Sequence, residues 1–172
     1  CCMPHAFENC GRLMEVVLSG GRVRLSLREY AFSGCTALQK VCVQEEEWEW
    51  STYQDILSED LPEIVRMIFA SAVSCFNIEQ EEILQGYRGT GKFLKIPLGI
   101  RRIEAEVFRN VLMLEEVEIP KSVEYIGARA FHGTAWIERQ RKASPMVVVN
   151  HMLLDGSGCT GEVVVGKEIS MV

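Results

Sequence analysis

Residues 100–137 read IRRIEAEVFRNVLMLEEVEIPKSVEYIGARAFHGTAWI, and the fold turns on this stretch. Ile100, Ile103, Val107, Phe108, Val111, Leu114, Val117 and Ile119 hold fixed offsets, and the same offsets recur in Val123, Ile126, Ala130, Phe131, Thr134 and Ile137. Val107 and Ala130 stand 23 residues apart. A fixed period in the twenties marks a stacked repeat architecture, in which each turn buries its apolar face only against its neighbours.

Working outward, the same pattern opens the chain. Cys2, Ala6, Phe7, Cys10, Leu13, Val16 and Leu18 form one turn, and Gly20–Gly21 break it. Leu27, Ala31, Phe32, Cys35, Leu38, Val41 and Val43 form the next, 25 residues on. Alternating apolar positions at the end of each turn have the period of a short strand. The Ala-Phe pair before it suits a tight helical turn whose Phe points inward. Each repeat should add one strand to a parallel sheet, about 4.8 Å from its neighbour. Phe7, Phe32, Phe108 and Phe131 are expected to form one buried column, Leu13, Leu38, Leu114 and Ile137 another. Cys10 and Cys35 should occupy a column of small buried side chains with Val111 and Thr134, and should stay reduced.

The segments AFENCGRLMEVVL, AFSGCTALQKVCV and SVEYIGARAFHGT resemble the BspA-like leucine-rich repeat family of bacteria. The resemblance covers about 1–43 and 94–137 well, 76–93 and 147–172 more loosely, and leaves out 44–75. It implies a non-catalytic right-handed superhelix, cell-surface or secreted, with a role in adhesion to host or bacterial proteins. The alternative location is the cytoplasm. CCMPHAFENC shows neither a starting Met nor a signal-peptide pattern, so the chain reads as a piece of something longer.

The fold expected is thus an α/β or mainly β solenoid of short parallel strands with two hairpin-like units and one helical insert. A single domain should span 1–172, with repeats at about 1–43 and 94–137. The insert falls at about 51–75. Ser58 or Asp60 can cap a helix over 61–74, with Pro62 in its first turn. Ile64, Val65, Ile68, Phe69, Ala72, Val73 and Phe76 give it a wide apolar stripe, which could cover the core or dock a partner helix. Residues 78–103 resemble 147–172 at an offset of 69. In both, an apolar pair leads through a Gly-rich turn into a strand, so hairpin-like units are expected at about 76–96 and 146–165.

Composition excludes several functions. With 18 basic and 24 acidic residues, the net charge is −6, and no basic cluster offers the counterion release that drives nucleic-acid binding. No apolar run is long enough for membrane insertion. The seven Cys form no CxxC pair, and His5, His132 and His151 lie at no metal-ligand spacing from them. No metal or cofactor is expected. Gly86–Lys92 has the spacing of a phosphate loop, but Phe93 stands where a hydroxyl should hold Mg²⁺, and a strand follows where a helix is needed. No Ser or Cys has a His and carboxylate at a recognisable catalytic spacing, so no catalytic residue is assigned.

What remains is surface. The outward strand positions give Val17, Cys42, Lys95, Glu118 and Val164, flanked by Glu15, Lys40 and Glu116. This mixed row is the candidate face for a protein partner. Trp48 and Trp50, in an acidic loop, are a second candidate, or else pack the insert onto the repeats. A structural spacer presenting another domain is the alternative function, and an enzyme a distant third. Self-association through uncapped ends is also expected, with Cys2, Phe7 and Leu13 exposed at one end and Val163, Val165, Ile169 and Val172 at the other.

Overall fold

The computed structural model describes residues 5–19 and 30–171. Cys2 and Leu27, assigned above to repeat columns, Gly20–Gly21, read as a break, and Val172, expected at an exposed end, lie outside them. The chain begins with two turns carrying β1 (Glu15–Leu18) and β2 (Lys40–Val43), followed by β3 (Glu46–Glu49). Next come α1 (Tyr53–Ile56), α2 (Glu63–Val73), β4 (Phe76–Glu79), β5 (Ile83–Tyr87) and β6 (Phe93–Lys95). β7 (Arg102–Ile103), β8 (Glu116–Glu118), β9 (Tyr125–Ile126) and α3 (Ala135–Ala143) follow. β10 (Val147–Val149), β11 (Met152–Asp155) and β12 (Ser170–Met171) close the chain.

The strands form several small sheets, ordered β1-β2-β3, β4-β5-β7-β9, β6-β8 and β10-β11-β12. The repeat period is visible in their registers. Glu15 pairs with Lys40, Phe93 with Glu116 and Arg102 with Tyr125, all in parallel. The Ala-Phe turns add backbone ladders of their own. Phe7 and Asn9 N–H donate to the Ala31 and Ser33 carbonyls at 2.9 and 2.7 Å, and Phe108 and Asn110 donate to those of Ala130 and His132 at 2.8 and 2.9 Å.

One side-chain rule sets the order of these turns. Asn9, Gly34, Asn110 and Gly133 all have positive φ two residues after the Phe. A Cβ on Gly34 would stand 2.5 Å from Asn9 Oδ1, and one on Gly133 would stand 2.7 Å from Asn110 Oδ1. An Asn turn therefore needs a Gly turn stacked on it. The signature F-x-N followed by F-x-G carries this pairing in the sequence.

The aromatic residues split into two stacks instead of one column. Phe7 stacks on Phe32 at 5.0 Å. Separately, Phe76, Tyr87, Phe108, Phe131 and Trp136 follow one another at centroid distances of 5.5, 5.3, 4.9 and 4.6 Å. Phe7 is 39% exposed rather than buried, because it stands at the outer end of its stack. Cys10 is exposed for the same reason, while Cys35 and Thr134 are wholly buried. Leu38 and Leu114 are wholly buried and Ile137 nearly so, with Leu13 packed against the core.

The break between the stacks is α2. Its N-cap is Pro62, with no side-chain cap bond, so neither Ser58 nor Asp60 caps it. Val65, Ile68, Phe69 and Ala72 have no exposed surface and join the common core, so the stripe covers this chain's own repeats. The end of α2 also terminates the first ladder. Phe32 N–H donates to Ser71 Oγ at 3.1 Å and Gly34 N–H to the Cys75 sulfur, where a third turn's carbonyls would otherwise sit.

Hairpins form, but not through the Gly-rich turns. β4 pairs antiparallel with β5 through Gln80–Glu81, and β10 with β11 through Asn150–His151, both turns at positive φ. The loop after β5 instead crosses to another sheet, where β6 pairs with β8. Asn9 anchors that loop, donating to Thr90 Oγ1 at 3.1 Å. Val163–Val165 form no strand, and Val163 and Val165 are exposed as anticipated for that end.

Two stability measurements test this packing. Phe131, 3% exposed between Phe108 and Trp136, should cost about 3–5 kcal/mol in denaturant unfolding when changed to Ala. A loss below about 1 kcal/mol would mean that this stack is not a packed core. Gly34→Ala should cost about 1–2 kcal/mol from its left-handed backbone alone, with more from the Asn9 clash. Adding Asn9→Ala should recover only the clash, and full additivity would refute the Asn–Gly pairing.

Candidate strand faces and their charge

Strand alternation places the candidate residues. In β1-β2-β3, Val41 is wholly buried on the inner face, with Trp48 opposite it on β3 and Val16 on β1. The outer face carries Glu15, Val17, Lys40, Cys42, Glu47 and Glu49. Lys40 lies between two carboxylates, its Nζ 2.8 Å from Glu47 and 3.6 Å from Glu15. The Glu47 hydrogen bond raises the Lys40 pKa above the ordinary value. Cys42 is only 9% exposed, since it is the middle of three strands and its thiol donates to Glu15 at 3.3 Å. It belongs to the floor of this face rather than its contact surface.

The second group is Lys95, Glu116 and Glu118, on the outer face of β6 and β8. Lys95 stands opposite Glu118, and Phe93 opposite Glu116. Arg12 reaches over from the first turn, pairing with Glu116 at 2.6 Å and lying 5.2 Å above the Phe93 ring. Thr36 accepts the Lys95 N–H at 3.0 Å, tying β6 to the second turn. The two groups lie on separate sheets, not in one continuous row, because β3 takes the place beside β2. Val164 joins neither: it is 81% exposed in an irregular segment.

The tryptophans divide. Trp50 is 5% exposed, donates its indole N–H to the Leu38 carbonyl and packs on Phe69 at 5.9 Å, so it secures the insert and offers no surface. Trp48 is partly buried against the same core. Glu47 and Glu49 were missed as members of the outer face. Their alternation with Trp48 and Trp50 is a period of two, the signal of a strand.

At the far end, Arg141 of α3 holds Asp155 of β11 at 2.5 Å. Partial burial acts to raise the Asp155 carboxyl, but Arg141 and the Ser157 donors outweigh it and hold it at about 2. The pair ties α3 to β11, and the Ser157 hydroxyl donates to the same carboxylate at 2.6 Å. Among the described residues no group of three or more His, Cys, Asp or Glu could hold a metal ion. Nor, among the described residues, is any helix long and apolar enough to cross a membrane.

The thiols differ sharply in environment. Burial pushes both Cys35 and Cys75 up to about 12, so they are protonated at neutral pH. Alkylation near pH ~8, read by mass spectrometry, should modify Cys10 rapidly and leave Cys35 and Cys75 untouched until denaturant is added. Equal rates at Cys10 and Cys35 would show that the first two turns open freely in the native protein.

No curated protein and no solved structure matches the chain. A family model does, that of the BspA type leucine rich repeat region, with six copies over residues 3–85 and 87–146. The first span runs through 44–75, which the sequence reading had excluded from the repeats. The match covers most of the sequence, and the chain belongs to the BspA-type leucine-rich repeat family.

Proposed function

We propose that this chain is a non-catalytic protein-binding module of a larger bacterial surface or secreted protein, its turns stacked as a right-handed solenoid. The family is typically non-catalytic and is associated with bacterial surface proteins. The observation that carries the reading is the pair of outer strand faces. Glu15, Val17 and Lys40 on one, and Lys95, Glu116 and Glu118 on the other, mix charged and apolar groups over short parallel strands. Repeat proteins offer such faces to extended protein partners. Charges of both signs on one face favour selective docking over general adhesion. Self-association through the exposed ends, at Phe7 and at Val163 and Val165, is a secondary mode within the same reading.

The test is crosslinking of the purified chain with host and bacterial surface proteins, read by mass spectrometry. Crosslinks should map to the segments around β1, β2, β6 and β8. Charge reversal by Glu15→Lys with Glu116→Lys should weaken capture on the order of tenfold, since both side chains are exposed and complementary charge steers encounter. Capture unaffected by these changes, or no capture from either source, would defeat the proposal.

A further inference from the structure

Among the described residues, strand β8 is bonded along one edge only. Glu116 N–H donates to the Lys92 carbonyl at 3.0 Å, and the Glu118 carbonyl accepts from Ile96 at 3.0 Å, so 116 and 118 face β6. Strand alternation turns the N–H and C=O of Val117 the other way, toward the place where another repeat strand would lie. That place is not taken by a strand. The equivalent residues belong to α3, because Gln140 and Lys142 stand where Val117 and Ile119 stood one repeat earlier. Trp136 N–H donates to the Leu114 carbonyl at 2.7 Å, which seats the start of α3 beside β8. Beyond this point a groove of about 230 Å³ runs over β8, with Phe93, Val117 and Trp136 as its apolar part and Glu116, Glu118 and Arg139 among its polar lining.

An exposed strand edge is a template for another strand, and proteins use it to bind extended peptides through main-chain hydrogen bonds. Charge narrows the occupant. Glu116 is already paired with Arg12, and Glu115 with Lys92 and Arg139. Glu118 makes no ion pair among the described residues, although it stands opposite Lys95 across β6–β8. The chain places Lys between Glu on neighbouring strands elsewhere, at Glu15, Lys40 and Glu49. A second copy pairing through its own β8 would set Glu against Glu, which is unfavourable.

Resting on the protein-binding reading, we infer that the free edge of β8 binds an extended peptide strand that sets a basic side chain against Glu118 and apolar groups over Phe93 and Trp136. The binding segment adds one strand to the β6–β8 sheet, and α3 forms the far wall of the groove.

The probe is a short capped peptide with one lysine flanked two positions either side by valine and with threonine between them, titrated into isotope-labelled protein and followed by amide chemical shifts. Two controls accompany it: the same peptide N-methylated at every residue, and one with glutamate for lysine. The lysine peptide should shift the amides of residues 115–119 and bind on the order of tenfold more tightly than either control. Glu118→Lys, an exposed change, should abolish that preference while the spectrum elsewhere stays folded. Equal binding of the N-methylated peptide would reduce the effect to charge attraction and overturn strand addition. So would absence of binding at millimolar peptide, or shifts confined to β1-β2-β3. If the outer faces of the unaltered protein capture surface proteins while the peptide fails to bind that same protein, strand addition falls and the protein-binding function stands.

Discussion

The structure depends on one constraint: each turn has a row of backbone N–H groups that only the next turn can satisfy. Phe108 and Asn110 donate to carbonyls of the turn that carries Phe131, and Phe7 and Asn9 do the same to the turn that carries Phe32. A turn by itself has neither partners for its backbone nor cover for its aromatic ring, so neighbouring turns are stable only together. The Asn–Gly pairing adds direction. Asn9 fits over Gly34 and Asn110 over Gly133, and the reverse order would drive a Cβ into the side chain below.

Because the ladder can continue indefinitely, the places where it stops shape the molecule. After the second turn, Ser71 of α2 and Cys75 just beyond it accept from Phe32 and Gly34, replacing the missing carbonyls with side chains. On the strand side, β3 returns antiparallel and takes the free edge of β2. Its Glu46, Glu47 and Glu49 leave a charged outer edge that discourages further pairing. The second ladder ends differently. α3 turns away after Trp136 and leaves the edge of β8 uncovered, with a groove in the place of a strand.

These stops also decide what the surface can do. A continuous ladder would have given one long outer face, whereas β3 and α2 divide it into two short ones. The first carries Lys40 held between Glu15 and Glu47, with Cys42 as its floor. The second has Arg12 folded across Phe93 and Glu116, so the first repeat contributes to a face built by β6 and β8. Ion pairs of this kind are exposed and contribute little stability.

Much of this was legible in the sequence, and for a definite reason. A period of 23 with Phe, Leu and Val at constant offsets can be buried only by stacking like turns, so the registers Phe93–Glu116 and Arg102–Tyr125 follow from counting. The apolar stripe of α2 likewise announced a buried helix. Alternation alone put Glu15, Val17, Lys40, Lys95, Glu116 and Glu118 on outer faces. It could not show that they lie on two sheets, that Cys42 is covered, or that Trp50 turns inward to the Leu38 carbonyl. Those outcomes depend on which strand edge is already occupied, and β3 occupies one by a turn of Gln44 and Glu45 at positive φ, residues that carry no turn signature. The local pattern determined what each turn buries. Only the tertiary structure decided where the stacking ends, because ending it depends on donors and acceptors brought together from distant parts of the chain.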